Sequence, residues 1–120
     1  MNDSAPGQSR EDNPISALPA ELASQSLSRT VIILPPDAAL QALAHLASQG
    51  RTLQSWEGWV KMRDGGRAKS LMHGGSFALP KDPARAADAA SAGIRQAQSR
   101  WSRDPEYPGA ALYIELAYDA

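Results

Sequence analysis

The sequence predicts an α+β fold, an antiparallel four-stranded sheet with two helices on one face. Three observations predict it. Thr30 to Leu34 is a short, β-branched apolar run; residues 53–79 alternate apolar and polar on both sides of Asp64-Gly65-Gly66; and Ala87, Ala90, Ile94, Ala97 and Trp101 recur at helical spacing. A chain of 120 residues suffices for one domain around one core.

Residues 1–13 are polar with almost nothing to pack, and are expected to form a disordered tail. After Pro14, Ile15, Leu18, Leu22 and Leu27 recur among small and polar residues, and Pro19 suits the first position of a short helix. Residues 1–27 are therefore expected as a flexible N-terminal arm, either draped over the domain or binding a partner. Residues 28–120 are expected as a single α+β domain.

Thr-Val-Ile-Ile-Leu at 30–34 is apolar at successive positions, the pattern of a central strand covered on both faces. Pro35-Pro36 stops it. Asp37 opens a helix to about Ser48, with Leu40, Leu43 and Ala47 inward, Gln41, His45 and Gln49 outward, and Gly50 as its stop. Residues 53–79 form the hairpin. If Gly65-Gly66 make a two-residue turn, Val60 faces Leu71 and Trp59 faces Met72; a three-residue turn at 64–66 sets Lys61 against Lys69. Like charges directly opposite are unfavourable by a few tenths of a kcal/mol, so the first register is expected. In both registers Trp56, Gly58, Val60 and Met62 share one face, and Trp59, Lys61 and Arg63 the other.

Asp82 and Pro83 have the chemistry of an N-cap and a first helical residue, and open the second helix with its stripe from Ala87 to Trp101. Pro105 and Pro108 make 104–109 a loop. The last strand alternates, with Leu112, Ile114, Leu116 and Tyr118 on one side and Tyr113, Glu115 and Ala117 on the other. The order strand, helix, strand, strand, helix, strand is that of the ferredoxin-like βαββαβ arrangement, which puts the first and third strands in the middle and leaves one sheet face open. An RNA-recognition domain has the same order but reads bases with aromatics on those two strands. Here the first strand has no aromatic and the third only Phe77.

Net charge is −1, which gives the whole molecule no long-range attraction for nucleic acid or an acidic membrane. Cysteine is absent, excluding disulfides and thiolate chemistry. No signal peptide and no run of roughly 18 apolar residues is visible, so a soluble cytoplasmic protein with no membrane partner is expected.

Catalytic motifs fail on inspection. Gly65-Gly66-Arg67-Ala68-Lys69-Ser70 resembles the end of a phosphate-binding loop but has Ala68 before the lysine and no helix after it. His73-Gly74-Gly75-Ser76 resembles the oxyanion loop of esterases, yet the chain has no Gly-x-Ser-x-Gly elbow. A β-bulge is the expected use of the paired glycines. Two histidines in different elements and singly scattered carboxylates suggest no metal, cofactor or catalytic set, and the chain is not expected to be an enzyme.

Between Arg29 and Lys81 seven basic residues face three acidic ones, concentrated on the hairpin. Trp59, Lys61, Arg63, Arg67, Lys69 and His73 are the expected partner-binding residues, since Trp and Arg dominate interface energetics. The expected function is a small protein-binding module, in the manner of an inhibitor, immunity-type protein or regulatory subunit, with a second copy as one possible partner. The alternatives are a nucleic-acid-binding module using Lys61, Arg63, Arg67 and Lys69, and a ligand-binding or enzymatic ferredoxin-like homodimer.

Overall fold

The computed structural model describes residues 14–76 and 78–118, so the expected tail at 1–13 and Phe77 lie outside the described residues. A 3-10 turn at Pro14–Ala17 and the one-turn helix α1 (Ala20–Ala23) lead into β1 (Ile32–Leu34), α2 (Pro36–Ser48), β2 (Leu53–Lys61), β3 (Arg67–Lys69), α3 (Pro83–Arg103) and β4 (Ala111–Tyr118). From β1 onward the order along the chain is the expected one. The strands form one antiparallel sheet in the order β1-β4-β2-β3.

That strand order departs from the ferredoxin-like expectation, because the first and third strands are the two edges. The lengths explain it. β2 and β4 pair from Leu53 to Lys61, whereas β1 and β3 have three residues each. Placing the two long strands in the middle lets both their edges pair, and leaves little bare backbone outside. β1 is buried along its length although it is an edge strand, since the preceding segment closes its free side. The Leu27 N–H donates to the Ile33 carbonyl (2.9 Å) and the Ile33 N–H donates to Ser26 Oγ (3.1 Å).

The arm from Pro14 onward is thus folded against the domain rather than loose. Leu18 and Leu22 are buried in the core that also holds Ile32, Leu43, Ile94 and Ile114, and Ile15 packs against it. Helix α3 follows its expected pattern: Asp82 caps it by accepting the Arg85 N–H on Oδ2 (3.1 Å), and Ala87, Ala90, Ile94 and Ala97 are buried. The inward face of α2 is Ala39, Ala42, Leu43 and Leu46, rotated from the expected stripe so that Leu40 and Ala47 sit at its margin. Alanines on the buried faces of both helices let α2 and α3 approach closely over the sheet.

The hairpin loop is Arg63-Asp64-Gly65. The Met62 N–H donates to the Gly66 carbonyl (2.6 Å), Gly65 takes φ 97°, and Asp64 Oδ1 accepts the Gly66 N–H (2.9 Å). A three-residue loop ending in a left-handed glycine is a common hairpin closure. It sets Lys61 against Arg67, Val60 against Ala68 and Trp59 against Lys69, which is neither expected register. The like-charge pair is tolerated because it costs only tenths of a kcal/mol, while this register gives both β3 cations a partner on the open face.

Candidate functional site

The sheet face away from the helices carries Glu57, Trp59 and Lys61 of β2, the Arg67 and Lys69 side chains of β3, and Tyr113 and Glu115 of β4. These side chains largely satisfy one another. The Trp59 indole N–H donates to Glu115 Oε1 (2.7 Å), and Lys69 Nζ pairs with Glu57 Oε1 at 2.6 Å. Lys69 Nζ and the Arg67 guanidinium lie 5.3 and 5.7 Å from the centroid of the Trp59 ring. Glu57 and Glu115 stand opposite each other in the ladder, and each has its own partner. Four of the six expected site residues, Trp59, Lys61, Arg67 and Lys69, are therefore together.

The other two are elsewhere. Arg63 is drawn toward the 104–110 loop, where its guanidinium lies so close over Gly109 that a Cβ there would overlap it. His73, expected on the basic surface, is buried at 4% exposure with its ring 5.9 Å from Trp101. A bulge at Leu71-Met72 brings it there. Gly58 bonds to the segment after β3 twice, its carbonyl accepting the Ser70 N–H (2.9 Å) and its N–H donating to the His73 carbonyl (2.9 Å). Leu71 and Met72 are extruded between those two bonds, and the chain resumes with His73 turned inward. Gly58 is required here, because a Cβ would run into the His73 carbonyl.

Glu106 holds the bulge from across the fold. Its Oε1 accepts the Ser70 hydroxyl (2.6 Å) and its Oε2 accepts the Leu71 N–H (3.0 Å), while Ser70 Oγ accepts the N–H groups of Met72 (3.2 Å) and His73 (2.9 Å). Burial pushes the Glu106 pKa up, but the Ser70 hydroxyl, the Leu71 and Met72 amides and the His73 charge together bring it below its ordinary value. The clamp leaves Leu71 at 87% exposure, with Met72 exposed next to it in the chain and Tyr107 exposed next to Glu106. Sequence reasoning missed Ser70, Leu71 and Glu106. Their only sequence signal is an apolar Leu-Met pair where a two-residue hairpin turn would continue the strand.

His73 also lines a cavity of about 400 Å³ between β2, the segment after it and α3, shared with Trp56, Met72, Gly93, Gln96 and Arg100. Gly93 makes room for it: a Cβ at that position would stand 2.9 Å from Trp56 Cζ2. The His73 Nε2 is the buried side-chain polar atom without a hydrogen-bond partner among the described residues. No Ser–His hydrogen bond joins Ser70 to the His73 ring, because the Ser70 hydroxyl is committed to Glu106 and to two backbone amides. Among the described residues no group of three His, Cys, Asp or Glu side chains could hold a metal ion, and no helix is long and apolar enough to cross a membrane.

Burial lowers the His73 pKa below 6.5, with Arg100 adding to the effect and Glu106 opposing it. The folded state thus resists a proton that the unfolded state takes readily, and the linked stability is present above pH 6.5 and lost as pH falls below it. Glu106 acts in a separate window, its contribution being lost below 4.5, the ordinary carboxylate value, as the lowered pKa is passed. The melting temperature of the parent is expected to drop between pH 7.5 and 5, and His73→Phe to flatten that drop at neutral-pH stability within about 1.5 kcal/mol of the parent. Parallel pH profiles for the two proteins would show that His73 does not carry the effect.

Searches of protein-family models, of curated proteins and of solved structures give no match to this chain, so its fold and its site stand on the geometry described above.

Proposed function

We propose that this chain is a non-enzymatic protein-binding module that docks through the Leu71-Met72 bulge and the cations of β3 beside it. One observation carries the reading. Leu71 is the most exposed large apolar side chain among the described residues, at 87%, yet its backbone is held in place by Glu106. Exposed apolar side chains on ordered backbone lose little entropy on binding, which is what an interface anchor needs. Lys69 and Arg67 precede it by two and four positions, so the partner surface that fits is an apolar pocket with an acidic rim.

Nucleic acid is the weaker reading, since Lys69 and Arg67 lie over the Trp59 ring where a base would have to stack. Inhibitors and regulatory subunits are the forms such a module takes, and the cysteine-free chain suits the cytoplasm. The test compares Leu71→Ser and Arg67→Glu/Lys69→Glu with the parent in affinity capture from native extract, with circular dichroism and melting as controls. Leu71→Ser is expected to melt like the parent and to lose the captured protein, with the double charge reversal weakening capture by at least about tenfold. Capture unchanged by both variants, or capture of nucleic acid that nuclease removes, overturns the reading. Light scattering then tells a second copy from a different protein.

A further inference from the structure

We infer that the cavity between β2, the 70–76 segment and α3 is a binding site for a small organic carboxylate with an apolar body. Its volume of about 400 Å³ is in the range of small-molecule sites. Its walls divide by chemistry. Trp56 of β2, Leu79 before α3, and Ala89 and Ala97 of α3 are apolar, with the Trp56 indole brought close to α3 by the absence of a side chain at Gly93. Ser76, Gln96 and Arg100 are the polar lining besides His73, and no carboxylate lines the space.

The charge is therefore one-sided. Arg100 makes no ion pair among the described residues, the Lys69–Glu57 pair being the salt bridge they contain. An unpaired guanidinium at the edge of an apolar slot matches a carboxylate by charge and by its paired donors. His73 supplies a second and independent pointer to a ligand. It is nine-tenths buried, it lines the cavity, and its Nε2 has no partner among the described residues. A buried nitrogen left without a partner is costly, and a ligand that displaces the wall at His73 brings an oxygen to it and removes that cost.

The site is separate from the Leu71 surface. Met72 is the residue common to both, and the proposed partner can fail to bind while this cavity still fills. The experiment is a ¹H–¹⁵N titration of the full chain with benzoate, phenylacetate and 1-naphthoate, each beside its neutral amide. At least one acid is expected to shift the Gly74, Gly75 and Gly93 amides and the His73 ring nitrogens in a saturable manner, with Kd on the order of 1 mM or tighter. The amide of that acid and the Arg100→Gln variant are each expected to bind at least about tenfold more weakly. Arg100 is exposed, so its replacement leaves the fold intact; Ala89→Phe, at another exposed lining position, fills the space and is expected to abolish the shifts. No saturable shift with any of the three acids overturns the inference. So does equal binding of acid and amide, binding unchanged by both variants, or shifts centred on residues outside the cavity.

Discussion

Trp56→Ala is expected to lower the stability of the domain by about 3–5 kcal/mol, the range for removing a buried aromatic. Trp56 is on β2, in the ladder with Leu116 on one side and bridged to Ser76 on the other, while its indole lies on α3 at Gly93. Sheet, helix and the segment after β3 therefore all lose a neighbour together. Because the ring also bounds an existing cavity, its removal enlarges that space, and there is little nearby to collapse into it. Urea denaturation gives the number. A loss below about 1 kcal/mol would show that the indole is a lid on the cavity and no part of the core.

Gly75→Ala is expected to cost about 2–4 kcal/mol from two sources acting together. Gly75 has φ 95°, a conformation that an L side chain adopts only with strain, and its Cα is against the backbone of Trp56 so closely that a Cβ would overlap the carbonyl. Gly74 is the internal control. It has nothing within 4 Å of an added Cβ and no positive φ, so Gly74→Ala is expected to be within about 0.5 kcal/mol of the parent. Equal effects of the two substitutions would mean that the segment relaxes away from β2 at little cost.

How much was legible in the sequence follows from how local each determinant is. The Asp82 cap, Pro83 and the alanine stripe of α3 are set within a few residues, and the helix is where they put it. The alternation of Leu112, Ile114 and Leu116 likewise announces one buried face. Strand order is different in kind. Ile33 reads as the middle of a central strand because the run around it is apolar at successive positions, but an edge strand covered by Ser26 and Leu27 is buried on both faces as well, and nothing in the run itself tells the two apart. The site suffered most. The hairpin closes at 63–65 instead of Gly65-Gly66, a shift of three residues that turns Arg67 and Lys69 onto the face of Trp59, since side chains alternate and an odd slip inverts the face; the extruded residues then bring His73 back opposite Gly58, on the inner face. Glu106, which stabilises the bulge, is far from it in sequence and joins only in the fold.

The position of β4 has a consequence for how the molecule comes into being. It follows every other element along the chain, yet it lies in the middle of the sheet, with Ile32 of β1 and Trp56 of β2 both paired to Leu116. During synthesis, residues 14–110 can form helices and the local β2–β3 hairpin, but β1 has no strand to join until β4 emerges. Sheet closure is then a single late event between distant parts of the chain, the kind of topology that folds slowly. A nascent or truncated chain ending before Ala111 exposes the inner edge of β2 as a row of unpaired amides and carbonyls, ready to pair with another chain in the same condition.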